Sequence, residues 1–249
     1  MRSFTYSDSS FDVRSDLKQA HRAYWDMLAE PGNWWTGAER VAIAEEVRNA
    51  TSCAFCKARK EALSPYNFEG RHDSTTDLPP LAIDAVHRII TDQSRITQAW
   101  IDENIEQGLS EEQFVELLGV AVTVFSIDEF NRGLGLAREP LPEPHPGEPS
   151  AYRPALAERG TGYVSMLPRK GGASGEEADL WPEGRGANVV RALSLVPDAV
   201  RGWFTVAAGQ YLSIEGMSQF SGALPDRSID RMQMEIVAGR VSSYNECFY

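Results

Sequence analysis

The sequence predicts an all-α protein. Apolar residues recur at helical rather than alternating spacing, capping boxes stand ahead of two helical runs, and proline and glycine gather between such runs instead of punctuating short strands. The composition agrees. In 249 residues, 42% hydrophobic and 10% aromatic content exclude wholesale disorder, a fibrous repeat and a disulfide-dense miniature. A chain of this length can bury about 70% of its unfolded surface. Twenty-four basic against thirty-six acidic residues leave a formal charge of -12, a field that repels phosphate backbones and anionic membranes, so neither nucleic acid nor membrane is an expected partner. The opening MRSFTYSDSS is polar, and no apolar run approaches the ~18 residues of a membrane span. A cytoplasmic location is therefore expected.

Thr36 with Glu39 forms a capping box before GAERVAIAEEVRNA, which predicts a helix over Gly37 to Ala50. Trp34 and Trp35 are expected to pack its approach. Thr51 and Ser52 can cap a second helix carrying CAFCKARKEAL, ending before Ser64 and Pro65. Pro79 and Pro80 open a third, with Ala82, Ala85, Val86, Ile89 and Ile90 on one face, and Ile96, Trp100, Ile101 and Ile105 continue the stripe to Gly108. Ser110 and Gln113 make another capping box, and Phe114, Leu117, Leu118, Ala121, Val124 and Phe125 mark a helix apolar enough to be central, although its VAVTVF run is β-prone. Residues 139–154 hold six prolines in sixteen residues, and glycine and charge follow to residue 186. That stretch reads as an extended linker which Tyr163, Val164, Met166 and Leu167 could anchor. The expected organisation is 1–138, a linker over 139–186, and 187–249. The last part reads as helices on either side of Pro197 and another from Pro225 to about Val241. Setting Cys247 on Cys53 places ECFY over SCAF and Val241 over Val47, which suggests that the third part is a partial second copy of the first.

Cys53 and Cys56 are the sharpest chemical feature. A thiolate is the reactive form, and a second thiol three residues away can capture the sulfenic acid or mixed disulfide that the first one makes. Helix N-terminal amides, with Lys57 and Lys60 each four residues after a cysteine, are expected to lower at least one thiol pKa. Glu46, seven residues before Cys53, returns to within about 20° of its face on a continuous helix and is the preferred carboxylate. His87 is the imidazole that could face the thiols. His72, in EGRHDS, is less constrained, and His21 and His145 are expected at the surface without partners. Glu39 is explained by its cap. A zinc site is the other use of Cys-x-x-Cys, and Cys53, Cys56, His72 and His87 can be enumerated as four ligands. Fourteen residues separate the histidines, against three to five in a finger, so no metal and no organic cofactor are expected.

The arrangement TGAERVAIAEEVRNATSCAFC, the helix pair over Leu78 to Ile105, and GLSEEQFVELLGVAVTVFSIDEFNRGLGL resembles the alkylhydroperoxidase AhpD-like and carboxymuconolactone decarboxylase superfamily. The resemblance spans about Trp35 to Leu136, with a weaker echo from Asn188 to Tyr249. It implies an AhpD-like helical bundle, here of two related repeats, usually assembled as a homo-oligomer. It also implies a peroxidase in which Cys56 attacks a small hydroperoxide, Cys53 resolves the product and an external thiol reductant recycles the pair; a disulfide is the other substrate considered. Lys60 and Val41 stand where the peroxidase branch carries histidine and glutamate, and Glu46 and His87 are the candidates to replace them. In the echo, Glu235 stands twelve residues before Cys247, whose partner cysteine is missing. The decarboxylase branch lacks the cysteine pair and ranks lower. A non-catalytic helical scaffold is the rival reading.

Overall fold

Thr36 does what its sequence context predicts: its hydroxyl accepts from Glu39 N while the Glu39 carboxylate accepts from Thr36 N, and the helix behind them runs over Gly37–Ala50. This is α2 of a computed structural model that describes residues 4–182, 184, 186–217, 224, 227–245 and 247. Ahead of it lies α1 (Ser15–Ala29), and after it come α3 (Ala54–Glu61), α4 (Pro80–Thr91), α5 (Gln98–Glu106) and α6 (Glu111–Gly133). The C-terminal part adds α7 (Asn188–Arg191), α8 (Pro197–Gln210), α9 (Ile214–Met217) and α10 (Arg231–Tyr244). Among the described residues there is no sheet, only one isolated bridge between Glu158 and Met166. No helix among them is long and apolar enough to cross a membrane.

The central element is α6, capped by Ser110 and Gln113. It stays helical through VAVTVF because Leu117, Val120, Ala121, Val124 and Ile127 are all buried at helical spacing, so packing overrides the β preference of its valines. It packs against α2, α4 and α8, and α1 packs against α2 and α8. Gly119 lets α6 approach α8 closely: a Cβ there would stand 2.7 Å from the Ala199 Cβ. The bidentate Arg48–Asp128 pair, both contacts 2.8 Å, ties α2 to α6, and Arg48 also donates to the Glu139 carbonyl where the proline-rich segment begins.

That segment is extended, as expected, and is fastened by backbone bonds from His145 to Ala29, Ser150 to Gly32 and Ala151 to Asn33. Val164, Met166 and Leu167 are buried anchors, whereas Tyr163 is about half exposed. Pro197 opens α8 at its first position, where its missing N–H has no helical partner to lose. The expected start of the last helix at Pro225 falls outside the described residues; α10 begins at Arg231 because Asp230 and Gln233 form a complete capping box there. The sequence expectation for His21 is overturned. It is fully buried on α1 between the Phe4, Tyr6 and Phe130 rings, bonded to Tyr6 Oη at 2.6 Å and Gln210 at 3.1 Å. His145 is at the surface, but paired with Glu30 at 2.6 Å.

Candidate active site: a dithiol between two histidine–carboxylate pairs

The chain turns sharply between α2 and α3. The Thr51 and Ser52 hydroxyls donate back to the Arg48 and Asn49 carbonyls, so neither caps α3 as the sequence suggested, and Cys53 itself takes the N-cap position. The cap group comes from the 62–79 loop instead: Asp73 Oδ2 accepts from Ala54 N at 2.8 Å. Asp73 N in turn donates to Cys53 Sγ at 3.5 Å, and the Thr75 hydroxyl binds Glu45. These contacts bring the loop, with His72 on it, across the start of α3.

Both sulfurs are buried, Cys53 at 1% exposure and Cys56 at 3%. His72 Nδ1 lies 3.7 Å from Cys53 Sγ and 3.4 Å from Cys56 Sγ, and His87 Nδ1 lies 3.2 Å from Cys56 Sγ. Each imidazole uses its other nitrogen on a carboxylate. His87 Nε2 is 3.0 Å from Glu46 Oε2, and His72 Nε2 is 2.9 Å from Asp84 Oδ1. A carboxylate can only accept, so in the neutral imidazoles Nε2 carries the proton and the Nδ1 lone pairs point at the sulfurs.

Each carboxylate is itself held. Glu46 Oε1 accepts from the Ser74 and Thr76 hydroxyls at 2.6 and 2.7 Å. Burial opposes its ionisation, but the Ser74, Thr76 and His87 donors outweigh it and hold the Glu46 pKa below its ordinary value. At Asp84 burial is likewise outweighed, by His72, Arg88 and Arg59, so its carboxyl lies well below the usual carboxylate range. Arg59, stacked on Phe55, gives one guanidinium nitrogen to Asp84 at 2.6 Å. Burial lowers the His87 pKa more than Glu46 raises it, which favours the neutral ring.

At Cys56 the expected depression of the thiol pKa is overturned. Lys57 and Lys60 are exposed on α3, and burial together with the neighbouring Cys53 pushes the Cys56 thiol up to about 11. Arg59, not either lysine, is the cation that works against the rise. A base beside Cys56 is therefore what ionisation of its thiol would need, and His87 Nδ1, 3.2 Å away, is in position.

Glu46, Cys53, Cys56 and His87, named from sequence, thus meet in one place. Glu46 reaches there through His87 and not along the helix face shared with Cys53, because α2 ends at Ala50. Glu39 serves its cap, and Trp35 is buried with its indole N–H on the Gln113 carbonyl. Asp84, Ser74 and Thr76 are not visible as partners in the sequence, and His72 enters there only among the four possible zinc ligands; the Asp84–Arg88 spacing of four residues is the visible trace of one of them. Cys56 also lines a cleft of about 370 Å³ with Lys57, Lys60, Ile90, Thr91 and Phe125 among its walls. The exposed Lys57 and Lys60 side chains place part of that wall at the surface.

Comparison with protein-family models, curated proteins and solved structures finds no match to this chain.

Proposed function

We propose that this protein is a thiol-dependent peroxidase of the alkylhydroperoxidase type, with Cys56 as the attacking sulfur and Cys53 as the resolving one. The observation that carries the reading is the unbroken chain from Glu46 Oε2 through His87 to Cys56 Sγ, ending on a cysteine that is among the residues lining the cleft. His87 Nδ1 takes the Cys56 proton while Glu46 stabilises the imidazolium that forms. The thiolate attacks the distal peroxide oxygen; the O–O bond breaks, Cys56 becomes a sulfenic acid, and the departing alkoxide leaves as the alcohol with the proton from His87. The Cys53 thiol then condenses on the sulfenic acid, releasing water and forming the disulfide, which an external dithiol reduces. The two sulfurs lie within 4.8 Å of one another, so little movement is required. Ile90 and Phe125 beside Lys57 and Lys60 suit an organic hydroperoxide with an apolar body and an anionic end.

The two-repeat reading draws support from α10. Like α2 it has 14 residues, opens on a capping box and ends three residues before a cysteine. Its Met232, Ile236, Val237 and Tyr244 are exposed and would be covered in the homo-oligomer that the resemblance implies.

Steady-state consumption of an organic hydroperoxide with excess dithiol tests the function. Wild type is expected to turn over while Cys56→Ser stays at the buffer rate. Equal rates in the two would leave the scaffold reading in its place.

A further inference from the structure

The geometry points to a binding site for a thiophilic divalent cation, Zn(II) by preference, formed by Cys53 Sγ, Cys56 Sγ, His72 Nδ1 and His87 Nδ1. These four atoms all lie within 4.8 Å of one another. Tetrahedral zinc with ordinary bond lengths separates its ligands by roughly 3.5 Å from sulfur to nitrogen. The three sulfur–nitrogen contacts, 3.7, 3.4 and 3.2 Å, bracket that value. The donor chemistry also fits: two sulfurs with two imidazoles form a tetrahedral set that selects zinc over hard cations such as magnesium or calcium.

The surroundings are those of a metal ligand set. Both imidazoles turn Nδ1 inward and hold Nε2 on a carboxylate, Asp84 for His72 and Glu46 for His87, the arrangement that fixes tautomer and ring direction around a bound cation. Both carboxylates are held in turn, Glu46 by Ser74 and Thr76, Asp84 by Arg59 and Arg88. Two thiolates and one dication leave no net charge on the metal core, which suits sulfurs that are nearly fully buried. The long interval between the histidines is no obstacle, because one comes from the 62–79 loop and the other from α4, and tertiary packing brings them together.

The site stands whether or not the dithiol turns over peroxide. If it does, the two uses exclude each other, since a disulfide leaves neither sulfur as a thiolate ligand. Zinc would then hold the reduced pair in reserve.

Metal-stripped, reduced full-length protein titrated anaerobically with Co(II) tests the site without any peroxide. The expected result is saturation at one ion per chain, with thiolate-to-cobalt charge transfer and tetrahedral d–d bands that Zn(II) abolishes by displacement. Asp84→Asn, which keeps all four donors, should weaken binding by about 10- to 100-fold, and Cys247→Ser should leave it unchanged. As a check that needs no variant, zinc should slow iodoacetamide at Cys53 and Cys56 while the exposed Cys247 reacts at its usual rate. A pale octahedral spectrum without charge transfer, or zinc that leaves the alkylation of Cys53 and Cys56 unchanged, would overturn the assignment.

Discussion

Replacing Glu46 by glutamine probes the relay with almost no change of shape. The side chain is fully buried, and its Oε1 can continue to accept from Ser74 and Thr76 as an amide oxygen. The amide NH₂ then occupies the place of Oε2, facing His87 Nε2. Two donors cannot share that contact, so His87 must move its proton to Nδ1, which turns a donor toward Cys56 Sγ, 3.2 Å away, where the wild type offers a lone pair. His87 can then no longer take the thiol proton. General-base assistance is worth about 10²- to 10⁴-fold, or roughly 2.7–5.4 kcal/mol of barrier, and peroxide turnover in Glu46→Gln should fall by that range. The contact with His87 survives as an amide N–H donated to Nε2, and the Ser74 and Thr76 bonds lose only a charged acceptor, so the variant should remain folded at room temperature. Imidazole ¹⁵N spectra supply the readout that a merely structural role would not move, with the proton on Nε2 of His87 in wild type and on Nδ1 in the variant. Turnover within a few-fold of wild type, or an unchanged tautomer, would refute the relay.

Other predictions concern the fold. Burial lowers the His21 pKa from 6.5 to about 4, a displacement of roughly 3 kcal/mol at 1.36 kcal/mol per unit. Because the unfolded chain takes up the proton first, this stability is fully present above pH 6.5 and is lost as pH falls from there toward 4. Urea unfolding across that window should show a steeper loss in wild type than in His21→Gln, and parallel curves would sink the assignment. Gly119→Val should cost about 1–3 kcal/mol by overpacking the α6–α8 contact, and Ala199→Gly in the same chain should recover part of it; strict additivity in thermal unfolding would rule that contact out. Asp73→Ala removes the cap of α3 and should lower stability by about 0.5–2 kcal/mol, read by the same melts, with no change as the contrary result.

What the sequence made legible is what local chemistry encodes. The bounds of α2 follow from Thr36 and Glu39 at one end and the Thr51–Ser52 turn at the other, and α6 follows from its capping box and its apolar stripe. His21 shows a local signal overlooked: Leu17, His21, Tyr24, Trp25 and Leu28 lie on one buried face of α1, so the spacing already placed the histidine inside. The site divides the same way. Cys53, Cys56, Glu46 and His87 stand out by residue type and helical position, whereas His72 sits in a polar loop whose fold over α3 depends on the Asp73 cap and the Thr75–Glu45 contact. The direction of the Cys56 pKa is hidden from the sequence for a related reason. Four-residue spacing places Lys57 and Lys60 near the cysteines in sequence, but burial decides which charges the sulfur feels, and both lysines stay in solvent. Ligand spacing rules for zinc fingers assume two histidines on one helix, and they do not see a pair that a loop and α4 bring together.

On the proposed function, Cys56 and Cys53 act as one redox unit driven by His87. Mass spectrometry of reduced, metal-free protein after one equivalent of an organic hydroperoxide reads it directly. One alcohol released per chain and a Cys53–Cys56 disulfide, seen as the loss of two hydrogens, are the expected products, with Cys247 still open to alkylation. Peroxide that decays only at the buffer rate, leaving Cys53 and Cys56 as thiols, would contradict it.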